Sequence, residues 1–294
     1  MNPLWDLLML KMKTVKNRLI INADDLGMSE NVNNEIEKCI KLGVITSSTL
    51  MANAPAFEGG VRIAEAYSHI SIGVHLNIVE FAPLTNQEVF RKHGMLSNDG
   101  NFIDGAAFVV AIDDELKKAI YEEWDAQITK IEKAGICPTH CDSHQHTHSI
   151  LELQDVLCRV LDKHNIMKVR RKSIPSIRLM LCAKKNHSTV HLDKSKAMLP
   201  KKRNVIYRRI NLFVVKYTSW LWNKKMSKKY IMTDGFFSFK DFYSNRDVLG
   251  LDTKPSVELM CHPGNCPFNA ETSYLMNVKN WMNSDLQLIS YNKL

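Results

Sequence analysis

Apolar residues along this chain fall into short β-branched runs separated by stretches with helical periodicity. The first run, Leu19-Ile20-Ile21, continues into Asn22-Ala23-Asp24-Asp25-Leu26-Gly27 and reads as a buried strand that ends in two carboxylates and a glycine. Ser29 is placed to cap a helix over 30–42, with Val32, Ile36, Cys39 and Ile40 on its buried face and Gly43 at its end. A second strand is expected over 44–51, a helix over 56–67 and a third strand over 70–77. Three strand–helix steps of about 25 residues predict right-handed βα units around a parallel sheet or barrel.

Residues 83–104 break this rhythm with Gly94, Asp99-Gly100 and Asp104-Gly105, the turn signals of a long loop that roofs a site. A clear amphipathic helix over 113–133 follows, carrying Leu116, Ile120, Trp124, Ile128 and Ile131 on one stripe. The next strand opens into Thr139-His140-Cys141-Asp142-Ser143-His144-Gln145-His146-Thr147-His148, then a helix over 151–164 and a short strand over 167–170. From 176 to 229 the pattern becomes a basic, amphipathic helical insertion. Strand character returns over 230–236 and 256–262, a helix is expected over 273–282, and 286–289 reads as a short strand or packed tail.

Composition narrows the picture. With 294 residues, 45% hydrophobic and 24% charged, the chain is read as a soluble catalytic domain over 17–294, preceded by an extension over 1–16 that contains Met12 as a candidate natural start. The extension lacks a leading basic cluster and is too short to span a bilayer. Seven cysteines without a regular framework argue for free thiols in a reducing, cytoplasmic setting, with Cys137 and Cys141 read mainly as core thiols. The formal charge of +8 is unevenly distributed: residues 168–229 hold 19 Lys and Arg against Asp193 alone, a net +18, so the remainder is −10. Any nucleic-acid or membrane-surface reading rests on that segment.

The candidate chemistry gathers at strand ends. In an extended segment His140, Asp142 and His144 share one face at intervals of about 7 Å, and imidazoles on a buried face are costly to desolvate without partners. His75 ends the third strand and His262 the last long one, while Asp24 and Asp25 end the first. Active sites of barrels and open α/β sheets form at such strand C-termini. Two histidines with one carboxylate suit Zn²⁺, and also Mn²⁺, Fe²⁺, Co²⁺ or a weakly held Mg²⁺. The second carboxylate and a strand-end histidine are then available as base and acid. Neither a Gly-x-Ser-x-Gly elbow nor a phosphate-binding Gly-rich loop is present, which disfavours a serine hydrolase or a nucleotide enzyme.

Asn22-Ala23-Asp24-Asp25-Leu26-Gly27, Gly73-Val74-His75-Leu76-Asn77, Thr139 to His148 and Cys261-His262-Pro263-Gly264, in that order, closely resemble the YdjC-like carbohydrate deacetylases, a family that includes a chitooligosaccharide deacetylase. The resemblance implies an α/β fold, a divergent (β/α) barrel related in mechanism to the NodB-type polysaccharide deacetylases. It implies one divalent metal ion, Mg²⁺ or Zn²⁺, held by Asp25, His75 and His144, with Asp24 as general base and His262 as general acid or acetyl-orienting group. His140 rivals His144 as a ligand, His146 and His148 face the substrate or support the ligands, and Asp142 orients an imidazole. The implied reaction removes an N-acetyl group from an acetylated amino-sugar mono- or oligosaccharide and releases acetate. A homodimer is a further expectation.

Two departures from the family pattern stand out. Leu26 occupies a position where an aromatic residue is usual, a change that leaves the metal site intact. The basic insertion points away from plain chitobiose toward an anionic or lipid-linked glycan, or a membrane-surface contact. Another metal-dependent amidase or phosphoesterase is the first alternative, and a non-enzymatic nucleic-acid or membrane binder the second. The second leaves the Asp pair and the histidine cluster unexplained, so no nucleic-acid partner is expected.

Overall fold

The computed structural model describes residues 17–174, 205–282 and 284–294. The expected extension over 1–16, Cys182 and the 176–204 part of the expected insertion lie outside the described residues. Among the described residues seven strands form one sheet: β1 (Asn17–Leu26), β2 (Ser47–Leu50), β3 (Ser71–Leu76), β4 (Cys141–Ser143), β5 (Gly235–Ser238), β6 (Ser256–Cys261) and β7 (Leu286–Leu288). Their order is β4-β3-β2-β1-β6-β5, all pairings are parallel, and β7 joins the start of β1.

Side-chain alternation gives the sheet two unlike faces. Leu19, Ile21 and Ala23 of β1, Ile72, Val74 and Leu76 of β3, and Val257, Leu259 and Cys261 of β6 belong to the main apolar core. Helices cover that face: α1 (Glu30–Lys41), α2 (Phe57–Ala66), α4 (Asp114–Lys133) and α5 (Gln154–Lys163), with the short α3 (Gln87–Lys92) between α2 and α4. The residues between these, Asn22 and Asp24, Gly73 and His75, and Glu258, point the other way into the concavity. There they meet buried polar partners. Ile20, Ile289 and Tyr291 form a small apolar floor beneath them. Gly73 is required on this side, because a Cβ there would lie 2.6–2.7 Å from the His140 ring.

The sheet curls but stays open, where a (β/α) barrel was expected. Beyond the three-residue β4, among the described residues, single bridges continue the curl, Cys141 to Val169 and Lys168 to Ile231. The strand expected over 167–170 is present as these bridges, and the chain then reaches Lys172. Its N–H donates to Asn223 Oδ1 and its C=O accepts from Asn223 Nδ2, both at 3.0 Å, in place of a strand neighbour.

Asn223 lies on α6 (Val205–Met226), the described part of the expected helical insertion. Among the described residues no helix is long and apolar enough to cross a membrane. The loop expected over 83–104 contains α3, capped by Asn86, and α7 (Phe239–Asn245) is a further helix, capped by Ser238. The last helix, α8 (Asn269–Met276), begins earlier than its expected 273 start. Cys137 is exposed, so only Cys141 of that pair is a core thiol.

Candidate active site

The Asp24-Asp25 doublet is turned by its own backbone. Asp25 has φ 68°, in the left-handed region that non-glycine residues seldom occupy, and Gly27 follows at φ 90°. The β1–β2 register shifts between Ala23 and Leu26 at the same place. A regular strand would aim the two side chains to opposite faces; here both are buried on the concave side with different partners.

Asp25 Oδ1 lies 2.9 Å from His144 Nδ1 and 3.2 Å from His75 Nε2, and Asn265 Nδ2 donates to Asp25 Oδ2 at 2.9 Å. Behind His75, its Nδ1 meets Asp142 Oδ1 at 2.7 Å, and the Thr49 hydroxyl donates to Asp142 Oδ2 at 3.1 Å. A proton on Nδ1 directed at Asp142 leaves the Nε2 lone pair facing Asp25, the arrangement that prepares an imidazole for a metal. Glu80, which the sequence patterns left unremarked, sits 3.6 Å from His144 Nε2.

Asp24 belongs to a second set of contacts. Arg170 grips it bidentately, NH1 to Oδ2 and NH2 to Oδ1 at 2.6 Å each, and Asn22 Nδ2 donates to Oδ1 at 2.9 Å. The same guanidinium reaches Asp142 Oδ2 at 2.7 Å and Glu258 Oε1 at 2.7 Å, while the Tyr291 hydroxyl donates to Glu258 Oε2 at 2.5 Å. Burial would raise the Asp24 pKa, but the Arg170 charge and hydrogen bonds hold it well below the usual carboxylate range. Burial likewise opposes the Arg170 charge, yet Asp142, Asp24 and Glu258 hold its pKa well above the ordinary value. Glu258 goes the other way: burial outweighs Arg170 and lifts it to about 7.

His262, just past β6, is held by Glu271 of α8, whose Oε2 accepts from the His262 backbone N–H at 2.9 Å and lies 3.2 Å from Nδ1. Phe268 stacks on its ring at 4.1 Å. Burial works against the imidazolium, but Glu271 and the Asp pair raise the His262 pKa overall.

The remaining histidines separate along the concavity. His140 sits on the floor, stacked on Tyr291 at 3.7 Å with Nε2 3.1 Å from Asn22 Oδ1, away from the Asp25 cluster. Burial and Arg170 depress its pKa, so it is neutral. The segment after β4 is a 3₁₀ turn over His144–Ser149 with left-handed Gln145 and His146, and the even-residue alternation stops at His144. His146 packs edge-on to Phe236 at 5.6 Å. His148 bonds Ser143 Oγ through Nδ1 at 2.6 Å and packs against Trp222 of α6 at 5.8 Å.

Does a cation fit these residues? Four buried carboxyl groups converge here, and Arg170 meets three of them, Asp24, Asp142 and Glu258; Asp25 faces two imidazoles and the Asn265 amide, with no guanidinium or ammonium group against it among the described residues. The neighbouring charges show the same demand: burial opposes protonation of His75, yet Asp142, Asp25 and Asp24 raise its pKa to about 10. One carboxylate oxygen and two imidazole nitrogens from Asp25, His75 and His144 lie within 4.8 Å of one another. That donor set matches the chemistry of a divalent ion with positions left for water or substrate. The cluster of Asp24, His75 and Asp142 is less suitable because Arg170 already satisfies both carboxylates, and that of His93, Asp113 and Glu115 is largely solvated.

The family described as YdjC-like protein matches residues 18–287. The chain belongs to the YdjC-like family. Within it, the chain is 36% identical over 151 residues to a carbohydrate deacetylase of Clostridium beijerinckii, covering 51% of this chain and 58% of that protein. It is 33% identical over 150 residues to a carbohydrate deacetylase of Halalkalibacterium halodurans, covering 51% and 62%. The chain thus spans about three fifths of the length of the curated relatives it matches. The YdjC-like fold is similar to the crystal structure of an Enterococcus faecalis protein described as a cellobiose-phosphate cleavage protein. The TM-score is 0.67 at 20% identity, with 95% of this chain and 98% of the other covered. These comparisons support the YdjC-like family as a whole rather than any single member.

Arg170, Glu258, Tyr291, Asn265 and Glu271 were not among the sequence candidates. Glu258 carried a usable signal, a charge inside the apolar run Val257-Glu258-Leu259.

Proposed function

We propose that this chain is a metal-dependent hydrolase that removes an N-acetyl group from an acetylated amino sugar and releases acetate. The observation that carries the reading is the division of the Asp doublet, with Asp25 beside His75 and His144 and Asp24 held independently by Arg170. Asp25, His75 and His144 are the residues that would hold the ion, Mg²⁺ or Zn²⁺, with the two imidazoles favouring zinc. When bound, the ion supplies a Lewis acid that polarises the acetyl carbonyl and acidifies water.

The chain's own groups do the rest. Asp24 takes the proton of the attacking water on a lone pair that Arg170 and Asn22 leave open, since each carboxylate oxygen has two. Arg170 makes Asp24 a weaker base than a free carboxylate, but keeps it ionised and oriented until the proton is transferred. His262, whose pKa Glu271 helps raise against burial, gives its proton to the departing nitrogen as the C–N bond breaks. Asp142 and Thr49 fix the ring of His75. Asp24, Asp25, His75, Asp142 and His262 lie at or just past the C-terminal ends of β1, β3, β4 and β6, and we infer that the curled sheet acts as a divergent (β/α) barrel mouth.

Metal-replete protein is incubated with a panel of neutral and anionic N-acetylated glycans and assayed for acetate, beside Asp24→Asn. The expected result is acetate release by the wild type and a loss of roughly 10²–10⁴-fold in the variant, with bound metal retained. Full activity in Asp24→Asn refutes the base assignment, and no acetate from any amino sugar refutes the substrate class.

A further inference from the structure

α6 has two faces of opposite character. Ser219, Trp222, Asn223 and Met226 are buried against the body: the Trp222 carbonyl accepts from Gln154 Nε2, Asn223 binds Lys172, and Met226 meets Cys158. On the opposite side Phe213, Tyr217, Trp220 and Lys224 follow one another at spacings of four, three and four, a single stripe along the helix. Phe213 is 69% exposed, Tyr217 52% and Trp220 46%, and Val214 and Leu221 flank them in the open. The rings stack on each other, Phe213 to Tyr217 at 6.4 Å and Tyr217 to Trp220 at 6.0 Å, and Lys224 Nζ lies 4.7 Å over the Trp220 ring.

The charge carried by this segment itself has one sign. Residues 205–229 contain seven Lys and Arg and no Asp or Glu. Lys225 and Lys229 are paired with Asp155 and Asp162 on α5, whereas Lys216 and Lys224 have no ion pair among the described residues.

We propose that this face of α6 docks on an anionic phospholipid surface. Aromatic rings and aliphatic side chains enter the boundary between headgroups and acyl chains, and lysines and arginines beside them meet the phosphates; this combination defines a helix that lies in the interface. The helix does not span, because no described helix is long and apolar enough. A second copy is the poorer occupant, since a two-fold contact through this face would set one acid-free basic helix against another. A nucleic acid would use the cations but leaves Val214, Leu221 and Phe213 without apolar contact.

The test is flotation with vesicles of phosphatidylcholine, with and without one quarter phosphatidylglycerol, at low and high salt. Two variants are compared, Phe213→Ser/Tyr217→Ser/Trp220→Ser and Lys216→Glu/Lys224→Glu, each checked for an unchanged circular dichroism spectrum. The wild type is expected to bind the anionic vesicles in a salt-sensitive way, and each variant to lose about tenfold or more in partitioning. The proposal is overturned if the wild type ignores anionic vesicles, if it binds neutral ones equally, or if both folded variants still bind. It is also overturned if the aromatic variant instead dissolves a dimer in sedimentation or exposes new protease sites in residues 175–204, which would make a second copy or that segment the occupant.

Discussion

Asp24 and Asp25 are adjacent, equally buried and of the same chemistry, yet their surroundings answer the problem of buried negative charge in two different ways. Asp24 has a cation built into the chain: Arg170 binds it with two hydrogen bonds and ties Asp142 and Glu258 to the same guanidinium. Asp25 has two imidazoles and an amide, groups that can be neutral and share a cation supplied from solution. A permanent counter-charge suits a group that must begin ionised and in one orientation; an exchangeable one suits a group that works through its ligand. The φ of 68° at Asp25 is the local backbone cost of separating them.

The sharpest way to break this contrast is Arg170→Met. It leaves three buried carboxyls without their cation, and removing one partner of a buried pair costs about 3–5 kcal/mol. Urea unfolding is expected to show that loss, and added Zn²⁺ is expected not to restore it, because the deficit lies on the Asp24 side. A loss below about 1 kcal/mol would show that the network tolerates absence of the guanidinium. The Asp25 side responds to Asp142→Asn, which keeps the shape but weakens the hold on His75 Nδ1. Metal affinity by titration calorimetry is expected to fall about 10–100-fold, with a smaller effect on folding in chelator. Unchanged affinity would remove Asp142 from any role in preparing His75.

Legibility in the sequence followed the range of the interactions. β1, β3 and β6 were visible as apolar runs, and Asp24, Asp25, His75 and His262 stood out because polar residues at the ends of such runs are conspicuous. Arg170 was hidden among Lys168, Arg171 and Lys172, and nothing local marks it as the buried one; its partners Asp24 and Glu258 are 146 and 88 residues away. The separation of His140 from His144 was also concealed. Strand alternation correctly puts both on the concave side, but their different depths depend on Tyr291 and Asn22, which come from opposite ends of the chain. Left-handed Gln145 and His146 ended the alternation with no glycine to announce it. The open curl was not legible either, because the bridges that continue it, Cys141 to Val169 and Lys168 to Ile231, join segments with little strand character of their own.

The Arg170 network also contains a group whose charge is not permanent, and it gives the comparison its finest measurement. Burial lifts Glu258 to about 7 from an ordinary 4.5, despite Arg170 and the Tyr291 hydroxyl. The unfolded chain therefore loses this proton first. Between about pH 4.5 and 7 the folded state binds more protons at Glu258 than the unfolded state, so this group's contribution to stability falls as pH rises and levels off above the folded pKa. Its share of the slope approaches about 1.4 kcal/mol per pH unit at most. Glu258→Gln abolishes the titration while keeping an acceptor for Arg170 Nε, so the variant's unfolding free energy, measured from pH 4.5 to 7, is expected to decline less steeply than the wild type's. Parallel curves would mean that Glu258 stays ionised beside Arg170, and that the guanidinium supports three full charges rather than two.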